Sequence, residues 1–389
     1  MKDDTLLGHV GNAPFENHGV VNPPVYHAST ILFPTLEAYR NGKTARVRYG
    51  RRGTPTSYAF EEAVAALEGG SGGVSTPSGL SAITSVLTAC VKAGDHILIT
   101  DSAYQPTCYF CQTTLKRLGV ETEYYDPAVG AGIEALIRPN TSVVYVESPG
   151  SLTFEVQDIP AIAEAAHKAG AILIADNTWG AGYYYKPLSL GADISLQAAT
   201  KYIVGHSDTN LGVAVWQDDE RFARVRDEVQ NMGICAGPDD LYLALRGMRT
   251  MGVRLPRHYE NGLKIARWLT QRPEVSHVMH PALEDDPGHG LWKRDFTGAC
   301  GLFGFVLHET DQTALAAMMD GLKLHGMGAS WGGYESLMIP TNPNTSRSAT
   351  RWEVEGQGMR IHVGLEDPDD LIADLESGLE RLNKARKGA

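Results

Sequence analysis

Lys201 stands in "LQAATKYIVGHSD" (residues 196–208), directly after an apolar run and between small and hydroxyl residues. A lysine at the end of a buried strand has a charge that is costly to desolvate unless chemistry uses it. Upstream, Asp176 closes the apolar run "AILIAD". Ser78-Gly79-Leu80 in "STPSGL" opens a helical segment, whose free backbone N–H groups and positive dipole end suit a dianion. A lysine amine, a carboxylate on a neighbouring strand end and a phosphate cradle are together what pyridoxal phosphate (PLP) requires. Lys201 would supply the covalent attachment. Asp176 would keep the pyridine nitrogen protonated and so keep the ring an electron sink. Each feature alone has an ordinary reading as a surface lysine, a strand-end cap or a glycine turn. Their conjunction in this order points to the cofactor.

The elements that must position these residues are readable from hydrophobic spacing. "TPTSYAFEEAVAALEGG" puts Phe60, Ala63, Val64 and Leu67 on one helical face and stops at paired glycines. "SGLSAITSVLTACVKAGD" does the same with Leu80, Ile83, Leu87 and Val91. Short apolar runs ("HILIT", "SVVYVES", "AILIAD", "LGVAVW") then alternate with helical ones, which predicts βαβ units and an α/β fold with a mostly parallel sheet. Asp101, Glu147, Asp176 and Lys201 fall at or near strand ends, where ligands bind in open α/β sheets. The reading divides the chain into an extended N-terminal arm (1–53), a large cofactor-binding unit (54–248) and a smaller α+β unit (249–389). The last contains a long helix around "HYENGLKIARWLTQR", a short strand region at "GLFGFVLHE" and a final helix.

Composition excludes several function classes. With 389 residues, 43% hydrophobic and 21% charged, the chain has the balance of a globular protein. A net charge of −12 disfavours a nucleic-acid partner. No apolar run reaches the roughly 18 residues of a membrane span, and the first residues lack the apolar centre of a signal peptide. A cytoplasmic location is the expectation. The five cysteines suggest no disulfide framework, and Cys108 and Cys111 are expected near the buried face of a helix. His206 with Asp208, and His277 with His280, lack a third ligand at metal spacing, so no metal is expected. "GGSGGVSTPSG" is not a P-loop, and no G-x-G-x-x-G follows a strand as a nicotinamide dehydrogenase would need. A non-catalytic regulator on an enzyme fold would have little use for both Lys201 and Asp176.

"DNTWGAGYYYKPLSLGADISLQAATKYIVGHSD" resembles the signature of the Cys/Met-metabolism family of PLP enzymes, in which the lysine of the T-K-Y core holds the cofactor. The similarity continues through "VNPPVYHAST", "RYGRRGTPTSYAFEEAVAALEGG", "SAYQPT", "VYVESPG", "WGGYESL" and "RIHVGLE". It implies a fold of type I, aspartate-aminotransferase-like. It also implies that Tyr104 stacks on the cofactor ring and assists the chemistry, and that Thr200 offers a hydroxyl to the phosphate. Tyr49 and Arg51 would reach the phosphate of a neighbouring subunit, Tyr49 meeting the substrate too, in a homo-oligomer of dimers with shared sites paired into tetramers. Arg360 would hold the substrate α-carboxylate, with Ser330 and Trp331 on the same side.

Two departures matter. Ala198 stands where relatives commonly have Ser, and Ser151-Leu152 in "PGSLTF" stand where many γ-specific relatives have Asn-Pro. The second resembles the β-specific branch and implies β-elimination from L-cystathionine to homocysteine, pyruvate and ammonia, a step of methionine biosynthesis. A γ-lyase or γ-synthase, or a broader cysteine S-conjugate β-lyase, are the alternatives within the family. Trp331 and Tyr334 are expected to narrow the side-chain pocket.

Overall fold

The computed structural model describes residues 1–42 and 45–388; residues 43, 44 and 389 of the expected arm and C-terminal unit lie outside it. Seven strands form the large sheet: β1 (Gly72–Thr76), β2 (His96–Thr100), β3 (Glu121–Tyr125), β4 (Thr141–Glu147), β5 (Ile172–Asp176), β6 (Ile194–Gln197) and β7 (Gly212–Trp216). Their order is β1-β7-β6-β5-β4-β2-β3, and only β7 runs against its neighbours. The interior strands β2, β4, β5, β6 and β7 are buried along nearly their whole length because helices cover both faces, which separates two buried clusters, one on each side of the sheet. The edge strand β3 ("ETEYY") is largely polar and partly exposed. A smaller antiparallel sheet follows, with β8 (Val275–Met279), β9 (Leu302–Leu307), β10 (Leu337–Thr341) and β11 (Gln357–His362) in the order β10-β11-β9-β8.

The helix expected at "TPTSYAFEEAVAALEGG" spans Pro55–Glu68 and ends at Gly69, whose φ of +77° is the left-handed cap that glycine adopts most readily. The next spans Gly79–Cys90, capped by the Ser78 hydroxyl, which accepts from Ser81 N at 3.1 Å. The arm is less plain than its Pro- and Asn-rich sequence predicts: Asp3–His9 and Leu36–Asn41 are helical, the latter capped by Thr35. The long helix begins at Met251 and runs through Pro256 to Leu269. No helix among the described residues is long and apolar enough to cross a membrane.

Candidate active site

The parallel strands deliver their carboxyl ends to one cavity of about 490 Å³, lined by Asp101, Glu147, Asp176 and Lys201 from the large sheet's edge. Arg360 from β11, with Ala329 and Trp331 from the loop before β10, closes it from the side of the small sheet. Ser78, Gly79, Leu80, Tyr104, Thr200 and Trp331 also line it, so most of the residues expected from the sequence converge here.

Asp176 is the last residue of β5 and is 8% exposed. Thr178 holds one carboxylate oxygen through its backbone N–H (3.0 Å) and hydroxyl (2.5 Å), and Tyr145 donates to the other at 3.3 Å. Beside it in register lies Glu147, the end of β4, which accepts from Tyr104 N at 2.6 Å and from the Ser151 hydroxyl at 2.5 Å. Burial raises the Asp176 carboxyl above its usual range. Burial, then the charge of Asp176, pushes Glu147 up to about 8. The two acids therefore face the cavity with hydroxyl and amide donors but no ion-pair partner among the described residues. A pyridinium N–H is the kind of cation this pair lacks.

Lys201 lies past β6 in a turn, and its Nζ donates to Ser330 Oγ at 2.8 Å. The ring of Trp331 is 5.3 Å from the ammonium. Gly332 seats this loop on the lysine: its φ is +87°, and a Cβ there would lie 2.8 Å from the Lys201 carbonyl carbon. Burial, and then the charge of Arg360, lower the Lys201 amine to about 8. Arg360 is itself lowered to about 10 by burial, and its Nη2 donates to the carbonyls of Ala329 (2.9 Å) and Ser330 (3.2 Å). No carboxylate pairs with it among the described residues, so a substrate carboxylate finds a largely buried guanidinium that lacks a counter-charge. Tyr104 is 46% exposed, and burial followed by the nearby Glu147 and Asp176 raises its phenol.

At the cradle, Ser78 takes the N–H of Ser81 through its hydroxyl and that of Ala82 through its carbonyl. The N–H groups of Gly79 and Leu80 have no acceptor among the described residues, as the first turn of a helix leaves them. Gly79 lies against Ala198: a Cβ on it would sit 2.5 Å from the alanine Cβ. These residues fit a phosphate. Thr200 is more committed than expected, since its Oγ1 already donates to Leu211 O (3.1 Å) and accepts from Leu211 N (2.9 Å).

Tyr49 and Arg51 do not reach this cavity within one chain. Arg51 donates to Gln230 O at 2.5 Å and its Cζ is 5.9 Å from the Tyr49 ring centre. Tyr334 does not line the cavity either and is 56% exposed, so Trp331 narrows it without Tyr334. Asp101 is at the crevice, but its carboxylate is taken by the N–H groups of Ser348, Ala349 and Thr350 at 2.6–3.0 Å. Cys108 and Cys111 are buried free thiols, each pushed up to about 12 chiefly by burial, which removes the reactive thiolate. No metal cluster occurs among the described residues. Reading the sequence missed Tyr145 and Thr178, which orient Asp176. A Thr two residues after a strand-end Asp is the one local signal that was there to find.

Residues 4–380 match the Cys/Met metabolism PLP-dependent enzyme family. The chain belongs to that family. It is 44% identical to the cystathionine beta-lyase of Escherichia coli (strain K12) over 391 residues, covering 98% of this chain and 99% of that one. It is likewise 44% identical to the cystathionine beta-lyase of Salmonella typhimurium, covering 97% and 98%. Among solved structures, the cystathionine gamma synthase of Xanthomonas oryzae pv. oryzae in complex with aminoacrylate and cysteine superposes with a TM-score of 0.91 at 31% identity, covering 99% of each chain. PLP is therefore the cofactor, and the acid pair, the lysine and the helix N-terminus described above are the residues that fit its nitrogen, aldehyde and phosphate.

The depressed lysine gives a direct test. Only the neutral amine attacks an aldehyde, so the rate at which cofactor-free protein captures PLP should rise with pH through a midpoint near 8, well below the ordinary lysine value of 10.5. In Arg360→Met the second cause of the depression is gone and the midpoint should move upward. Absorbance followed during reconstitution at a series of pH values measures both, and a midpoint near 10 in the parent protein would contradict the assignment.

Proposed function

We propose that the protein is a carbon–sulfur lyase that cleaves L-cystathionine on its β side, giving homocysteine, pyruvate and ammonia. The observation behind this reading is the pairing of Lys201 and Arg360 in the cavity that holds Asp176: a buried amine with no carboxylate partner beside a cation open to a carboxylate. When bound, PLP supplies an electron sink for the charge that develops at the substrate Cα. Arg360 fixes the α-carboxylate and so turns the Cα–H bond towards Lys201. Lys201 Nζ, neutral above about 8, takes the Cα proton. Tyr104 keeps its phenol proton at neutral pH because burial and the two acids oppose its loss, which suits its Oη to protonate the departing sulfur.

β-Cleavage needs one deprotonation, whereas γ-cleavage needs a second at Cβ and a lysine able to swing between two carbons. Leu152 and Trp331 on the cavity wall favour the simpler course, as does the kinship to enzymes named as beta-lyases. The products decide. Incubation with L-cystathionine should yield pyruvate and homocysteine, and a predominance of 2-oxobutyrate and cysteine would place the protein among the γ-lyases. Cleavage of other cysteine S-conjugates is expected as a side activity, since the same Cα proton is removed whatever the leaving thiol.

Arg360→Ala should lower kcat/KM for amino-acid substrates by roughly 30-fold or more, because loss of one partner of a buried charge pair costs about 2–5 kcal/mol. The cofactor spectrum should stay normal, and unchanged kinetics would reject the role.

We also infer a homo-oligomer in which Tyr49 and Arg51 serve a second copy's phosphate. Its support is that both residues stand outside their own chain's cavity. The arm that holds them also exposes Phe15 (96%), Leu32 (88%) and Tyr39 (68%), an apolar load that a second copy would cover.

A further inference from the structure

A second arginine lines the cavity. Arg347 follows β10 in a loop of the C-terminal unit, and its side chain is 6% exposed. The loop is built rather than loose. The Asp101 carboxylate, 1% exposed, accepts from three successive backbone N–H groups, Ser348, Ala349 and Thr350, and from the Thr350 hydroxyl at 2.9 Å. The guanidinium is then aimed by its own partners. Nη1 donates to Thr350 Oγ1 at 3.0 Å, and Nη2 donates to Thr153 Oγ1 at 2.6 Å and to Glu155. These bonds leave part of the donor edge of the fork unused.

Arg347 lines the cavity, and its partners show which part of the wall it belongs to. Thr153 and Glu155 belong to the segment that follows β4, in which Leu152 (φ +67°) and Phe154 (φ +60°) hold left-handed backbone conformations. Such strain in bulky residues persists only where the surroundings enforce it, and it concentrates at ligand sites. Both side chains line the cavity, with Ile339. Arg347 thus fastens an apolar wall while placing a cation on the same surface. It is also set apart from Arg360. Arg360 is held by the carbonyls of Ala329 and Ser330, the loop that also meets the Lys201 amine, whereas Arg347 is held by Thr153, Glu155 and Thr350, so the two guanidiniums belong to different parts of the cavity wall.

A cavity with one arginine beside the lysine's loop and another on a separate part of its wall matches an amino acid with two carboxylates. Building on the lyase reading, we propose that Arg347 binds a carboxylate on the leaving group, so that the site selects cysteine S-conjugates whose thiol side ends in an acid. In cystathionine that group is the carboxylate of the homocysteine half. Glu155 and Thr153 are positioning residues that hold the guanidinium for it.

The test compares S-(3-carboxypropyl)-L-cysteine with S-butyl-L-cysteine in the holoenzyme. The acid should be preferred in kcat/KM by about tenfold or more, the size of one charge-assisted hydrogen bond. In Arg347→Met the preference should collapse towards one, and Arg347→Lys, which keeps the cation, should retain part of it. The α-methyl analogues of both compounds have no Cα proton to lose and bind without turnover, so their dissociation constants should show the same preference and the same collapse. An equal preference in parent and Arg347→Met, or none in the parent, overturns the proposal. If neither conjugate yields pyruvate, the lyase reading fails, while binding of the α-methyl pair still decides the role of Arg347.

Discussion

Lys201→Ala should lose about 10⁴-fold in kcat, the upper end of what a positioned acid–base group contributes, and should hold PLP without a covalent bond. The size of the effect follows from how many tasks meet at one nitrogen. Nζ is the only amine among the cavity-lining residues, its position is fixed by Ser330, and its depressed affinity for protons makes it both nucleophile and base near neutral pH. Borohydride reduction of the parent holoenzyme should fix the cofactor to the peptide containing Lys201, and mass spectrometry should find none fixed in the variant. Label on another lysine, or a variant that retains more than a few per cent of turnover, would remove Lys201 from the mechanism. A normal thermal transition in the variant separates this chemical loss from misfolding.

The site was legible in the sequence where chemistry is local. Lys201 and Asp176 each sit at the boundary of an apolar run, so strand-end logic places them in one crevice, and Ser78-Gly79 is recognisable as the opening of a helix. What was hidden depends on contacts distant in sequence. Asp101 looks like a free acid at a strand end, yet residues 348–350 occupy it from the far side of the chain. Tyr145 looks like a core residue of β4, and only the pairing of β4 with β5 brings its hydroxyl to Asp176. Arg347 falls in a loop with no periodic pattern, and nothing nearby in sequence marks it as a cavity residue. In the small sheet, β9 was readable from "GLFGFVLHE". In β10 and β11, Pro340 and Gly358 interrupt any alternation, and the strands are defined by their partners. The short helices of the arm were missed because six or seven residues give too little pattern for a periodic reading.

Activity should return when two dead variants are refolded together. Lys201→Ala destroys the site in its own chain. Arg51→Ala destroys, in the oligomer inferred above, the site of the neighbour. Each homo-oligomer is then nearly inactive, for different reasons. Unfolding the two proteins in equal amounts and refolding them as a mixture gives about half mixed dimers under random closed pairing. In each mixed dimer one site combines an intact Lys201 from one chain with an intact Arg51 from the other, while the second site lacks both. Recovery of about a quarter of the parental activity is the expected result. Mixing the folded variants without unfolding should restore little, because exchange then requires subunits to part. The geometry makes the outcome two-sided. Within one chain Arg51 is directed to Gln230 O and outside the cavity of Lys201, so an effect of Arg51→Ala on catalysis has to come from a second copy. If mixed dimers are shown to form and activity does not return, Arg51 serves no neighbouring site. If Arg51→Ala alone is fully active, the shared site is excluded without the mixture.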